Sequence, residues 1–214
     1  MSELTTPTVD VERELGAKSV KTSYFHVSNL PKYTFDNSTV RKWAVSHLSG
    51  EVLNACCGQN EIDTQANVFR NDIDESVNAD THVDAAFLAA EYGPNTFDCI
   101  LYDPPWSEYQ ANYRYDGKHV IGDDYKRSLD DLPFEIDRGK TTVGRARLAK
   151  EGFDYLLKPG GIVIELSYNA TCMPSRLQYE RVKRVMFDPI GESNCMIGSV
   201  DRKVQTKFEG ALVD

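Results

Sequence analysis

No stretch of this sequence is apolar for long enough to cross a bilayer, which takes roughly 20 consecutive apolar residues as a helix. The first residues, MSELTTPTVDVEREL, have neither a basic start nor an apolar core. No secretory signal is read there, and a cytoplasmic protein is expected. Cysteine is sparse and poorly placed. There are 5, an odd number, with Cys56 and Cys57 adjacent and no CxxC pair or Cys/His cluster at zinc spacing, which argues against a disulfide framework and against a metal site. Cations are in the minority, 24 Lys and Arg against 33 Asp and Glu, for a net charge of −9. A protein that grips nucleic acid by bulk electrostatics is usually basic, so a general nucleic-acid binder is disfavoured. No internal repeat or low-complexity tract breaks the chain.

What is present suits one ordinary globular domain. Of 214 residues, 41% are hydrophobic and 10% aromatic, enough for a sizeable core. Residues 1–20 are polar, without apolar periodicity, and read as a flexible tail ahead of a single domain over 21–214. The segment 24–35, YFHVSNLPKYTF, reads as irregular and packed on the core. Asn37-Ser38 can cap a helix from Thr39 to Leu48, with Gly50 ending it. Strands are expected at 51–58, 68–74, 81–85, through Cys99–Tyr102, and at 162–168, 179–187 and 194–204. The stretch AAFLAAEYG and residues 142–157 read as helices between them. Alternation of strand and helix followed by two strands in succession predicts an α/β sandwich. Its sheet would be Rossmann-like, seven-stranded and mostly parallel, with an antiparallel strand near one edge.

Such sheets bind ligands outside the carboxyl ends of their strands, where the strand order reverses. Here those ends are polar: Asn54 to Gly58, Asp72 and Asp74, Asp84, and Asp103. The last belongs to FDCILYDPPW (97–106), in which an apolar strand runs into one carboxylate, two prolines and a tryptophan. Pro104 and Pro105 fix their own φ and cannot donate ladder hydrogen bonds, so the backbone is stiff and its carbonyls are free to accept. With Trp106 as a flat apolar face, the tetrapeptide suits a planar ring carrying an amino group. Asp-Pro-Pro is also an ordinary turn signal at a strand end.

The chain resembles the class I S-adenosylmethionine-dependent methyltransferases over roughly residues 34–204. Its Asp103-Pro104-Pro105-Trp106 resembles the motif of enzymes that methylate exocyclic amines, adenine N6 or cytosine N4. VLNACCGQ (52–59) resembles the family's first cofactor motif, with Asn54 where an acid often stands and Gly58 as the single glycine. The resemblance implies S-adenosyl-L-methionine as cofactor, held by Asn54, Ala55, Cys56, Cys57 and Gly58. Asp72 would take the ribose hydroxyls, with Ile73 and Asp74 beside it. Asp84 and Ala85 would meet the adenine, and Asp103 would lie between cofactor and substrate. It implies Asp103, Pro104, Pro105 and Trp106 as the catalytic set, drawing the amine toward a lone-pair-bearing geometry, with no metal required. Asp in the first position of the tetrapeptide is the adenine-leaning form, so adenine N6 in DNA is the expected acceptor. An amine in ribosomal or transfer RNA or in protein, or a non-catalytic cofactor-binding module of a larger assembly, stays open.

The polar, tyrosine-rich stretch 107–141 is placed as a lid or target-recognition insert. Tyr109, Tyr113, Arg114 and Tyr115 are its candidate substrate contacts. Arg138, Lys140, Arg145, Arg147 and Lys150 form a basic run that either meets phosphates or is a solvated helix face. About thirty-five residues are few for reading a long DNA site, so a partner for target recognition is considered. Oligomeric state is not readable.

Overall fold

The computed structural model describes residues 20–31, 33–105, 129–135, 144–168, 173–191 and 194–204. The expected tail, except Val20, and most of the 107–141 insert lie outside them. The described chain forms one seven-stranded sheet in the order β1-β6-β7-β5-β4-β2-β3. Its strands are β1 (Lys21–Val27), β2 (Glu51–Asn54), β3 (Asn67–Arg70), β4 (Phe97–Tyr102), β5 (Leu157–Ser167), β6 (Tyr179–Pro189) and β7 (Met196–Lys203). All neighbouring pairs are parallel except those of β7, which runs antiparallel to both β5 and β6. This is the Rossmann-like, mostly parallel sandwich that the alternation predicts.

Among the described residues two α-helices flank the sheet, α1 (Ser38–Val45) and α2 (Arg145–Leu156). Asn37 caps α1 as its sequence suggests, its side chain accepting from the Thr39 and Val40 amides. The helix ends at Val45, short of Gly50. Alternation along β4 divides the core in two. Ile100 and Tyr102 face α2 and the AAFLAA segment, among Phe87, Leu88, Phe153 and Leu156. Cys99 and Leu101 face α1, among Val40, Ala44, Ile164, Leu166 and Phe187. Almost all of these side chains are inaccessible to solvent, each worth about 1.5–3 kcal/mol for the larger ones.

Three elements differ from the sequence-based expectation. The YFHVSN region contributes β1, paired residue for residue with β6. Its burial alternates from Thr22 to Val27, but the residue types do not follow it, since Ser23 faces inward and Tyr24 outward. The expected strand at 81–85 is reduced to a single bridge, Asn71 to Thr81. Thus the count of seven strands holds, with β1 in place of that strand. AAFLAA forms a 3₁₀ helix, Ala85–Ala90, capped by Asp84.

The chain leaves β2 outward to β3, then crosses back past β2 to β4 and on to β5. Strand order therefore reverses between β2 and β4. Their carboxyl ends are adjacent, with Asn54 opposite Leu101 and the Ala55 amide donating to the Leu101 carbonyl at 2.9 Å. Any ligand site of a doubly wound sheet belongs at that crevice.

Candidate active site

Beyond Asn54 the chain turns over the end of β2 as Ala55, Cys56, Cys57 and Gly58. The turn is pinned from the next strand. Cys57 donates its amide to the Asn71 carbonyl at 2.8 Å, and the Gly58 amide donates to Asp72 Oδ2 at 2.8 Å. Gly58 has φ of +54°, a left-handed conformation that costs a side-chain-bearing residue energy. Among the described residues no atom lies within 4 Å of where its Cβ would stand, so none of them crowds this backbone. One glycine suffices for the turn because hydrogen bonds hold the rest of it.

Those bonds come largely from Asn71, a residue the sequence reading passed over. Its side chain is buried and fully engaged. Nδ2 donates to the carbonyls of Ala55 at 2.9 Å and Val83 at 2.8 Å. Oδ1 accepts from the Thr81 hydroxyl at 2.9 Å and the Val83 amide at 3.0 Å. An amide is the side chain that offers two donors and two acceptors in one plane. It joins the ends of β2, β3 and the 81–83 segment, and it explains why only one backbone bridge is formed there.

A cleft opens at the switch point, lined by Cys56, Cys57, Gly58, Asp72, Asp103 and Pro105 together with Tyr33, Thr34 and Phe35. The structure thus brings together the expected first-motif turn, the second-strand acid and the Asp-Pro-Pro segment. Tyr33 to Phe35 carry no motif and could be found only by folding the chain. Gln59 and Asn60 complete the lining.

The electrostatics agree with this convergence. Burial pushes the Cys56 thiol well above its ordinary range, and the carboxylates of Asp72, Asp103 and Asp84 push it further. Acids from the ends of β3 and β4 and from the cap of the 85–90 helix therefore act on one side chain. Cys57 is raised to about 11 by burial, with the Arg70 guanidinium opposing. Neither thiol is poised as a thiolate nucleophile. Burial also raises Asp72, against the stabilising amides of Asp74 and Gly58. The Asp74 amide reaches Asp72 Oδ1 at 3.0 Å. Each Asp72 oxygen thus holds one backbone amide and keeps capacity for a further donor. Asp74 accepts from the Ser76 amide at 2.9 Å, with Ile73 between the two acids.

Asn54 carries the most informative single atom. The residue is 1% exposed, and its Oδ1 has no hydrogen-bond partner among the described residues. Buried polar atoms are nearly always paired, and an orphan costs about 1–3 kcal/mol. This oxygen is an acceptor with spare capacity at the end of β2, next to the turn that lines the cleft.

Asp84 is differently placed. Its Oδ1 accepts from the Ala86 amide at 2.9 Å, and its Oδ2 pairs with Arg145 at 2.9 Å. It borders the site beside Ala85 with its carboxylate already engaged. The described members of the basic run are each paired with a carboxylate: the half-exposed Arg145 with Asp84, the half-exposed Arg147 with Glu151 one turn along its helix, and the buried Lys150 with Glu165 at 2.8 Å. Neither the phosphate reading nor a solvated helix face describes Lys150. Trp106, Tyr109, Tyr113, Arg114 and Tyr115 lie outside the described residues, as do Arg138 and Lys140.

No protein-family model matches this chain, and no curated protein does. Similar chain paths occur among solved structures. TrmN from Thermus thermophilus superposes over 78% of this chain at 15% identity with a TM-score of 0.49. This chain spans about half, 48%, of that protein's length. An rRNA methylase from Streptococcus thermophilus matches over 78% of this chain and 95% of its own, at 10% identity and a TM-score of 0.44. The N-methyltransferase NodS from Bradyrhizobium japonicum, solved with S-adenosyl-L-homocysteine, matches over 81% and 89% at 11% identity and a TM-score of 0.47. At these identities the likeness is one of chain path and extends to no substrate.

Proposed function

We propose that this protein is an S-adenosylmethionine-dependent methyltransferase that methylates an exocyclic amine of a nucleobase, adenine N6 in DNA. The observation that carries the reading is the cleft at the switch point. There the Cys56–Gly58 turn and Asp72 face the same space as Asp103 and Pro105, with the unpartnered Asn54 carbonyl oxygen at the adjoining strand end. The bound cofactor would supply an electrophilic sulfonium methyl group.

The chain's own residues then have separable tasks. Asn54 Oδ1 accepts from the ammonium of the cofactor's amino-acid part. Gly58 lets the backbone approach closely, and Asp72 accepts from the ribose hydroxyls with its remaining lone pairs. Asp103, half-buried after β4, accepts from the substrate amine together with the Pro104 carbonyl. An amine conjugated to an aromatic ring is a poor nucleophile, and two acceptors placed out of the ring plane favour the lone-pair-bearing form. The nitrogen gains a methyl group and gives up one proton, finally to solvent. Positioning supplies most of the acceleration in such a transfer. By the resemblance, Trp106 stacks on the base, a contact worth about 1–3 kcal/mol. A duplex target must first be flipped out of its stack.

The net charge is −9, and Arg145, Arg147 and Lys150 are each already paired with a carboxylate, so these three offer little to phosphates. Binding should be weak, with a shallow salt dependence. The test is mass spectrometry of nucleosides from DNA and RNA incubated with the protein and labelled cofactor. N6-methyladenine in DNA is expected. Label confined to RNA, cytosine or protein overturns the acceptor and leaves the chemistry at Asp103 standing. Cofactor binding without label anywhere favours a non-catalytic module.

A further inference from the structure

At the far edge of the sheet from β3, strand β1 pairs with β6 in unbroken parallel register from Lys21–Lys183 to Val27–Pro189. Among the described residues no strand pairs with its other side. The direction of its backbone groups is fixed by one bond. The Val27 carbonyl accepts from the Ile190 amide at 3.0 Å, so Val27 points its peptide groups toward β6. In a regular strand alternate residues do the same, which assigns Phe25, Ser23 and Lys21 to β6. The N–H and C=O groups of Thr22, Tyr24 and His26 therefore face outward along the free edge.

Natural edges are usually blunted by proline, a bulge, inward charge or a covering element. β1 has no proline and no register shift, and its one formally charged residue, Lys21, is at its end. The same stretch also exposes large apolar side chains. Tyr24 and Met186 are register partners on one face, each 38% exposed, and Ile190 beyond them is 72% exposed.

We propose that β1 is the contact between two copies of this chain, paired antiparallel about a two-fold axis through Tyr24. The two sheets join into one continuous sheet. Tyr24 then lies opposite its own copy, and Thr22 lies opposite His26 of the second copy. These are the outward-facing residues, so each forms the hydrogen-bonded kind of antiparallel pair, in which both N–H and both C=O groups are used.

The side chains are self-complementary in that register. The central row reads Met186, Tyr24, then Tyr24 and Met186 of the second copy, an apolar strip. The row beside it reads Arg184, Thr22, then His26 and Asp188 of the second copy, from the observed pairings of Thr22 with Arg184 and His26 with Asp188. Two-fold symmetry repeats that row in reverse. The charged ends of each row lie three strand spacings apart, about 14 Å, and do not meet, so the match rests on the central apolar strip, which the two-fold axis maps onto itself. The two Lys21 residues fall at opposite ends of the contact. The Tyr24 hydroxyl donates to Asp188 of its own β6, which holds the ring over the β1–β6 pair and leaves its apolar face exposed beside the edge. A parallel arrangement would instead align like with like.

Sedimentation equilibrium on the full chain tests this. A dimer at micromolar concentration is expected. Tyr24→Pro removes an outward N–H that β6 does not use, so it should give a monomer with unchanged circular dichroism. Because that variant could also disturb β1 itself, amide hydrogen exchange on the wild type supplies a second reading. Protection at Thr22, Tyr24 and His26 should rise with protein concentration, while protection at Ser23 and Phe25 should not. A wild type that stays monomeric overturns the proposal, whether the edge is taken by another segment of this chain or by a different protein. So does a dimer in which those alternate amides exchange freely at every concentration.

Discussion

Asn54 and Asp103 sit at adjoining strand ends, and substitution should separate their roles. Replacing Asn54 with leucine removes a buried acceptor that has no partner among the described residues. Exchanging such a group for an apolar one of similar shape is close to neutral or stabilising. The urea midpoint of Asn54→Leu should therefore stay the same or rise. Its affinity for S-adenosylmethionine should fall between roughly ten- and a hundredfold, the worth of one hydrogen bond to a charged donor. Calorimetry and denaturation on the same preparation check both signs. Asp103→Asn should leave the fold intact and cofactor affinity within a few-fold, while the transfer rate drops by about 10²–10³, as when one preorganised polar contact to the reacting group is lost. Single-turnover methyl transfer measures it. At this scale the sequence was informative where a polar residue at a strand end reaches the crevice, as at Gly58, Asp72 and Asp103. It was silent on Asp84's commitment to Arg145, because that ion pair joins residues sixty positions apart and depends on where α2 begins.

The elements around the site are held by polar groups as much as by apolar packing, and Asn71 is the clearest case. Asn71→Ala strips partners from the Ala55 and Val83 carbonyls, the Val83 amide and the Thr81 hydroxyl. Each orphaned buried group costs about 1–3 kcal/mol, less than additively. A loss of at least about 2 kcal/mol is expected by urea denaturation, with a smaller loss for Thr81→Ala. At the opposite end of the sheet, Asp98 Oδ2 accepts from Lys158 Nζ at 2.8 Å and the Glu51 amide at 2.9 Å, tying β2, β4 and β5 together. The Lys158 hydrogen bond first, and the Glu51 amide second, hold its carboxyl below the ordinary value of 3.8. A depressed carboxylate stabilises the fold above its unfolded-state pKa, and that contribution is lost as pH falls through the lower folded-state value. The gap in melting temperature between wild type and Asp98→Asn should therefore be present at neutral pH and close below about pH 4. Because Asp98 is partly exposed, the gap should also narrow in high salt. Strands with dense apolar sequence, β4 and β5 above all, were legible from residue type. β1 was not, since its inward Ser23 and outward Tyr24 break the apolar–polar alternation that its burial follows, and the 81–85 segment forms no strand because Asn71 takes over its hydrogen bonds.

For the molecule as a whole, the order of the sheet decides where chemistry can happen. Alternation of strands and helices was enough to read a mostly parallel sandwich, and the back-to-back final strands were enough to place an antiparallel member. What alternation does not carry is position within the sheet, so the place of Tyr33 to Phe35 in the cleft lining and the free edge of β1 emerged only from the fold. The central claim is that the cleft between the ends of β2 and β4 binds S-adenosylmethionine. Isothermal titration of the full chain with S-adenosylmethionine and with its demethylated product tests it most directly. The account predicts saturable binding of both, one per chain, weakened by Asn54→Leu. Absence of heat with either compound, from protein shown to be folded in the same buffer, would contradict it.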